Sequence, residues 1–316
     1  SWKLEPTDKL TENQRQCKSL RELEKEVQSA LAEEEAYHGG DITVLELVER
    51  YLTTKSNVRH NTKAGYKTVV NLLKREEFGN RRIDTVKVSD AKRWLIKLQS
   101  EDGRSYSSIH SIRGVVRPAF RMAVEDDLIR KNPFDWELGE VLINDSVKRE
   151  ALTKKQERLF LDFIKNDKHY GKYYDGMYIL FKTGMRVSEF CGLTLDDIDI
   201  KNRQIRIDHQ LQRTREGVYM IVDTKTTYGE RVLPMSDDVC RCFQNLIKKR
   251  KKVSKEPAVD GKKGFLVLDV NGMPYLANHW EKRFQYALGK YNRTYKEELP
   301  TITPHVCRHT YCSNMA

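Results

Sequence analysis

Two short motifs, far apart in the chain, carry residue types that suit the binding of a phosphate group. The downstream motif, Thr303-Pro304-His305-Val306-Cys307-Arg308-His309-Thr310, starts with a favoured N-cap residue and then a proline, whose missing N–H costs nothing at the first helical position. His305 is therefore expected in the first turn of a helix, with Arg308 three residues later on the same face. In the upstream motif, Thr183-Gly184-Met185-Arg186-Val187-Ser188-Glu189, the glycine predicts a helix that ends at a tight turn, so that Arg186 opens the next helix. A guanidinium group matches phosphate oxygens bidentately, and the motifs together predict a phosphate-recognition site.

These residues resemble, in type and order, the active-site set of the tyrosine recombinases, and most closely that of the integrases of conjugative transposons. In that family an R…K…H-x-x-R set surrounds the scissile DNA phosphate. Arg186 matches the first arginine and Glu189 the acidic residue that follows it. His305 and Arg308 match the H-x-x-R pair, and Lys225 matches the lysine of a β-hairpin turn. The likeness extends over nearly the whole chain, from Ser1 to Ala316.

One part of the family pattern has no counterpart in this sequence. The family's last conserved His or Trp and its nucleophilic tyrosine lie C-terminal to the H-x-x-R helix, whereas only eight residues follow Arg308 here. We therefore expect the chain as given to bind DNA without cleaving it. Tyr311 is a tempting substitute nucleophile, but its helical spacing from Val306 and Cys307 predicts a packing role instead.

The resemblance implies strand cleavage through a 3′-phosphotyrosine, with no metal and no cofactor. Arg186 and Arg308 would hold the two non-bridging oxygens, and one such fixed donor contributes roughly 3–4 kcal/mol to a transition state. Lys225 would protonate the leaving 5′ oxygen, and His305 would be a further donor or proton-transfer group. Glu189 would orient one of these side chains by hydrogen bonding.

Each of these residues, taken alone, has an ordinary alternative. Arg186 could be a surface arginine paired with Glu189, and His305 a polar residue at a helix N-terminus. Lys225 is distinguished from other lysines, such as Lys249, only by its place in the predicted hairpin.

The charge distribution agrees with a nucleic-acid partner. The formal net charge is +11, and it divides into −3 for residues 1–40, +6 for residues 41–136 and +8 for residues 137–316. Both larger segments are thus basic, as expected if both face the phosphate backbone of double-stranded DNA. A generic basic surface, or binding to RNA, would give the same balance.

Cysteines and apolar runs exclude other classes. The six cysteines are scattered without a Cys-x-x-Cys pair, which favours reduced thiols in a cytoplasmic, nucleoid-associated protein with no membrane segment. His305, Cys307, His309 and Cys312 are close in sequence, but on a helix Cys307 points away from the other three. A zinc site is therefore not expected there.

Hydrophobic periodicity divides the chain into segments. By the resemblance to the tyrosine recombinases, residues 1–40 would be the remnant of an N-terminal arm-binding domain with its connecting helix. Residues 41–136 carry four helical apolar stripes and are predicted to form a compact helical bundle, in which Ser89 caps the third helix and Pro118 kinks the fourth. The resemblance implies that this bundle is a helical core DNA-binding domain. The residues of this domain that we expect to contact DNA are Lys63, Lys67, Arg104, Arg113 and Arg117, with a solvated basic face as the alternative for any one of them.

Residues 137–150 are predicted to be a linker, and residues 151–316 the catalytic domain. A capping box at Thr153-Lys154-Lys155-Gln156 opens its first helix. Alternating residues then predict strands near Ile205, Met220 and Val232, with Lys225 in the turn between the last two. The predicted fold class is mainly α with a small antiparallel β-sheet. The resemblance implies a helical core-binding domain and a mixed α+β catalytic domain that form a clamp around DNA.

These features favour a site-specific recombinase of a mobile genetic element, which assembles as a dimer to tetramer on transposon-end or circular-intermediate core sites. A catalytically inert DNA-binding accessory protein is the alternative, although it would not need the full set of site residues. A relaxing topoisomerase would not need the helical domain for sequence-directed binding. A metal-dependent nuclease would need clustered carboxylates, and Asp196, Asp197 and Asp199 are instead expected in a helix-to-strand loop.

Overall fold

A computed structural model describes Lys25 and residues 41–56, 58–146, 150–224 and 229–315. The chain divides into two compact units, Ser1–Val147 and Lys148–Ala316. The predicted arm-domain remnant and its helix fall almost wholly outside the described residues. Within the described part, no helix is both long enough and apolar enough to cross a bilayer.

Within the described residues, the first unit contains four α-helices, whose apolar stripes form a single core. Thr43 caps the first helix, and its side chain and that of Glu46 exchange hydrogen bonds with each other's backbone N–H. The third helix begins at Val88, one residue before the predicted cap Ser89, and the Asp90 carboxylate accepts the N–H of Lys87 there. The helices are α1 (Val44–Thr53), α2 (His60–Leu73), α3 (Val88–Ser100) and α4 (Tyr106–Glu125, with Pro118 inside it).

Aromatic rings fill the core of this unit, and residues that follow α4 pack with them. Phe78 stacks on Trp94 with ring centroids 4.4 Å apart, and Phe134 meets Trp94 edge-on. Leu138 and Leu142 are buried in the same cluster. The chain between residues 137 and 146, predicted as the start of a linker, therefore packs as part of the helical unit.

The second unit contains six helices and five short strands within the described residues. Its first helix opens with the predicted capping box, in which the Thr153 hydroxyl accepts the Gln156 N–H and the Gln156 side chain accepts the Thr153 N–H. The helices are α5 (Lys154–Asn166), α6 (Tyr174–Thr183), α7 (Val187–Gly192), α8 (Asp237–Lys249), α9 (Ala277–Thr294) and α10 (Pro304–Met315).

Two antiparallel sheets lie between α7 and α8 in sequence, where one was predicted. The strands are β1 (Ile198–Asp199), β2 (Gln204–Ile207), β3 (His209–Arg213), β4 (Tyr219–Asp223) and β5 (Arg231–Pro234). One sheet has the order β1-β2-β5, with Ile205 opposite Leu233, and the other is the β3-β4 hairpin, with Leu211 opposite Ile221. The strands on either side of Lys225 thus belong to different sheets and are not paired as the predicted hairpin. The fold class, mainly α with little antiparallel strand, is confirmed.

Candidate active site

The turn between α6 and α7 places Arg186 at a helix N-terminus, as the glycine before it predicted. Gly184 ends α6 in the left-handed region, with φ +60°. A residue with a Cβ is strained in that conformation, so glycine is favoured. Arg186 then has extended backbone angles as the N-cap of α7. The tight turn therefore fixes where the Arg186 side chain leaves the backbone.

The helix α10 carries His305 and Arg308, and its first turn is built as predicted. The helix begins at Pro304, and the Thr303 hydroxyl accepts the backbone N–H of Val306 over 3.3 Å. His305 is exposed in that first turn, with its ring edge-on to His309. Arg308 is half-buried one turn later.

Arg308 also joins the two motifs physically. Its Nη1 donates a hydrogen bond to the carbonyl oxygen of Gly184 over 2.5 Å. The Tyr311 ring lies so close to the Gly184 Cα that an added Cβ would stand 2.3 Å from Cδ1 of the ring. Tyr311 therefore packs on the glycine turn, as its spacing predicted.

Arg186, His305 and Arg308 line one open cleft of about 910 Å³. The cleft is also lined by Glu281, Gln285 and Leu288 of α9 and by residues 301–304, which lead into α10. The Arg186 side chain is 40% exposed, so part of its guanidinium is accessible from the cleft. The cleft thus offers two guanidinium groups and an imidazole to a single ligand.

The buried side chain of Glu189 holds Arg186 in place. Its carboxylate accepts hydrogen bonds from the backbone N–H and the Nη1 of Arg186, both over 2.8 Å, and it is only 2% exposed. Burial by itself would raise the pKa of this carboxyl. The hydrogen bonds from Arg231 and from Arg186 outweigh burial and lower the pKa, so Glu189 is ionised and can orient Arg186.

Arg231, the first residue of β5, is a member of this network that the sequence analysis did not single out. Its Nη2 donates to Glu189 Oε2 over 2.7 Å. The contact joins residues 42 positions apart, and nothing in the local spacing announces it. The alternating pattern of β5 placed Arg231 in a strand and gave no partner for it.

An arrangement of this kind suits an anionic tetrahedral group. Arginine forks offer paired N–H donors, and anchoring them on protein acceptors prepays the ordering of flexible side chains. Arg308 is held by a backbone carbonyl and Arg186 by a buried carboxylate. The cleft can therefore stabilise charge that develops on phosphate oxygens.

Two other sequence expectations concern Lys225 and the four residues that resemble a zinc-binding set. Lys225 lies outside the described residues, in the connection from β4 to β5. Of the four residues resembling a zinc set, Cys307 is fully buried, and burial raises the pKa of its thiol well above the ordinary value. Its thiolate, the form that binds zinc, is therefore disfavoured.

The described residues contain one other grouping of potential metal ligands, Asp197, Asp208 and His209. Asp197 already accepts the backbone N–H and hydroxyl of Thr194 and forms an ion pair with Arg206 over 3.1 Å. Asp197 is the last residue of a short helical turn (Leu195–Asp197) and directly precedes β1, as expected for a helix-to-strand loop. The contacts of Asp197 therefore stabilise the loop before β1 and its connection to β2.

The predicted DNA contacts of the helical unit differ in accessibility. Lys63 and Lys67 are exposed one turn apart on α2. Arg104 is half-buried, with Asp102 at 3.9 Å, and Arg117 is half-buried and paired with Asp135. The α2 lysines are thus the more accessible cations of this set.

Arg113 is not available for such a contact. It is 8% exposed, and its Nη2 donates to the carbonyl oxygens of Phe134, over 2.8 Å, and of Trp136. Its guanidinium also lies over the Trp136 ring. Arg113 sits on the inward face of α4 and ties the following segment to the core, which corrects the expectation that it faces DNA.

The sequence and the fold of the chain match one known family of enzymes. The model of the phage integrase family matches residues 150–316, and the chain belongs to this family of tyrosine recombinases. The resemblance noted in the sequence is confirmed.

Individual relatives and solved structures show which members of the family the chain is similar to. The chain is 40% identical over 316 residues to the transposase from transposon Tn916 of Enterococcus faecalis, covering 100% of this chain and 78% of that protein. The structure of the Tn1549 transposon integrase in complex with a circular intermediate DNA is 42% identical, with a TM-score of 0.82 over 87% of this chain and 86% of that one. A lambda integrase dimer bound to a core site, at 15% identity and a TM-score of 0.58 over 85% of each chain, shares the fold.

Proposed function

We propose that this chain forms the DNA-binding and catalytic parts of a conjugative-transposon integrase, which cuts and rejoins double-stranded DNA through a 3′-phosphotyrosine intermediate. Its sites would be the ends of the transposon or the junction of its circular intermediate. The observation that carries the proposal is the single cleft lined by Arg186, His305 and Arg308. The similarity to the Tn916 transposase and to the DNA-bound Tn1549 integrase supports it.

The two arginines would bind the scissile phosphate. A tyrosine oxygen attacks phosphorus, the bond to the 5′ oxygen breaks, and negative charge accumulates on the two non-bridging oxygens. Arg186 and Arg308, each already anchored on the protein, would donate hydrogen bonds to those oxygens without reorganisation. His305, in the first turn of α10, would donate a further hydrogen bond or transfer a proton.

The remaining roles follow the resemblance. The leaving 5′ oxygen takes a proton from Lys225. The nucleophile is a tyrosine C-terminal to Arg308, as the family pattern implies, and it is not Tyr311. The phosphotyrosine bond preserves the energy of the broken phosphodiester, so rejoining needs neither a nucleotide cofactor nor a metal.

DNA affinity would come from many phosphate contacts spread over both units. Lys63 and Lys67 would serve on the helical unit, together with Arg104 and Arg117 when DNA displaces their acidic partners. We propose that the integrase acts in the cytoplasm on nucleoid DNA, as a dimer to tetramer that brings two duplexes together.

A nicked suicide duplex built from the junction of the circularised element tests the proposal. The intact integrase, with its own tyrosine, should form a covalent protein–DNA adduct that survives denaturing electrophoresis, in buffer containing EDTA. The chain as given should shift the same duplex in a native gel without forming the adduct. DNA binding with no adduct in the intact protein would instead indicate the inert accessory protein.

A further inference from the structure

We infer that Arg231 is a positioning residue for the recombination chemistry, which holds Arg186 ready for the phosphate by sharing the buried carboxylate of Glu189. The inference rests on the proposed recombinase function and adds to it a residue outside the R…K…H-x-x-R set. Arg231 is not one of the residues that line the cleft. Its influence on the reaction would pass through Glu189.

The geometry places Glu189 between two guanidinium groups. Arg231 binds both carboxylate oxygens, with Nη2 to Oε2 at 2.7 Å and Nη1 to Oε1 at 3.3 Å. Arg186 binds the same carboxylate through its backbone N–H and its Nη1. Since Glu189 is 2% exposed, water does not compete strongly for it, and the two arginines satisfy its oxygens.

The charge balance gives Arg231 its effect. A buried carboxylate with one cationic partner forms a neutral pair, and Arg186 would then bring little net charge to a phosphate. With Arg231 present, the trio of Arg186, Glu189 and Arg231 carries a net charge of about +1. Arg231 thus offsets the Glu189 charge, so that the Arg186 guanidinium remains attractive to phosphate oxygens.

A second contact makes Arg231 a fixed element and not a loose counter-ion. Its Nη1 donates to the carbonyl oxygen of Gly229 over 2.9 Å. An added Cβ on Gly229 would stand 2.3 Å from the Cβ of Thr224, which is buried. Pairing of Arg231 with Ile207 in the β2-β5 ladder fixes its backbone as well. The guanidinium therefore has two fixed partners, the Glu189 carboxylate and the Gly229 carbonyl, and it extends from a backbone that is fixed in the sheet.

A double-mutant cycle in the intact integrase tests the inference, with cleavage of a suicide duplex measured in single turnover and DNA affinity measured by anisotropy. Arg231→Met should slow cleavage by about 10-fold or more through misplacement and neutralisation of Arg186, with affinity changed by less than about threefold. In the Glu189→Gln background the same change should cost less than about threefold, because there is no carboxylate charge left to offset. Arg231→Lys should retain most of the cleavage rate.

Arg206→Met is the matched control. Arg206 lies on the neighbouring strand β2 and forms an ion pair with Asp197, whose side chain is fully buried, so the variant also removes an arginine from a buried carboxylate in the same sheet. It should lower stability in urea while leaving the cleavage rate unchanged. If Arg231→Met and Arg206→Met slow cleavage equally, Arg231 is only structural.

The remaining outcomes also decide the question. Equal losses from Arg231→Met in the presence and absence of the Glu189 charge would overturn the inference, as would parent-like cleavage by a folded Arg231→Met. If Arg231→Met does not fold, cleavage by Arg231→Lys as slow as that of the Arg186→Ala variant would overturn it too. A parent integrase that forms no adduct would contradict the proposed function itself. The comparison among the Arg231 variants tests only the role of Arg231, so the two failures can be told apart.

Discussion

Arg308 donates a hydrogen bond to the carbonyl oxygen of Gly184 although 124 residues separate them. The contact links the helix that carries His305 and Arg308 to the turn that presents Arg186. Tyr311 strengthens the link, because its ring covers the Gly184 Cα. The two motifs are thus held together in two ways. Arg308 binds the Gly184 carbonyl, and the absence of a side chain at Gly184 lets the Tyr311 ring pack on it.

Replacing this glycine should disturb stability and chemistry together. Gly184→Ala puts a Cβ within 2.3 Å of the Tyr311 ring at a residue with φ +60°. We expect the free energy of unfolding in urea to fall by about 1 kcal/mol or more, since the left-handed conformation alone costs an alanine that much. Cleavage should slow by about 10-fold or more because Arg186 and Arg308 are displaced.

Gly289→Ala is the control, in the same unit but in the interior of α9. Its added Cβ would make only an ordinary contact, 3.5 Å from Nη1 of Arg293. Alanine is the better helix former, so this variant should gain about 0.5–1 kcal/mol and cleave normally. Equal behaviour of the two glycine variants would contradict the packing argument.

The two cleft arginines should affect catalysis far more than DNA affinity. Arg186→Ala and Arg308→Ala in the intact integrase each remove one donor to the transition state, worth roughly 3–4 kcal/mol, or about 10²–10³-fold in rate. Binding to core DNA, measured by anisotropy, should stay within a few-fold because it is spread over many phosphates. Parent-like cleavage by either variant, or loss of DNA binding by both, would argue against their assigned role.

Tyr311 should be dispensable for strand cleavage. Tyr311→Phe keeps the ring that covers Gly184 and removes only the hydroxyl. Adduct formation by the intact integrase should be unchanged within about twofold, the range expected for a substitution that leaves packing in place. An adduct whose phosphate maps to Tyr311 in the parent protein would identify it as the nucleophile.

Two cations of the helical unit should separate DNA contact from structural support. Lys67→Ala removes an exposed charge on α2 and should weaken binding similarly for all sequences, lowering the slope of log affinity against log salt by about 1.

Arg113→Met leaves the buried carbonyls of Phe134 and Trp136 without their donor. It should cost about 1–3 kcal/mol of stability with the salt slope unchanged. Unchanged stability together with a lower salt slope for Arg113→Met would instead show that Arg113 contacts DNA.

Local backbone chemistry explains which site features could be predicted from sequence. Thr303 and Pro304 define the start of α10, and Gly184 the end of α6, because caps and left-handed turns depend on a few adjacent residues. The burial of Arg113 also had a local signal, since it lies four residues after Ile109 and three before Val116 on the apolar stripe of α4. The charge of its side chain outweighed that signal in the prediction.

Features that depend on pairing between distant segments could not be predicted this way. The Glu189–Arg231 contact and the split into two sheets arise from tertiary packing, which spacing within one segment does not encode. The strand that begins at His209 directly follows β2, with only Asp208 between them. The alternating pattern in this part of the sequence therefore does not show that β2 and β3 belong to different sheets.

Lys225 offers a test that separates proton donation from charge stabilisation. If Lys225 protonates the leaving 5′ oxygen, Lys225→Ala should be severely slowed on normal DNA, in line with the roughly 10²–10⁴-fold contribution of general acids. On a duplex with sulfur at the bridging 5′ position the same variant should recover substantially, because a thiolate leaves without a proton. Arg186→Ala, which acts on the non-bridging oxygens, should not recover on the sulfur substrate. Should Lys225→Ala remain inactive with sulfur while binding DNA normally, Lys225 would only position the substrate and another group would be the acid.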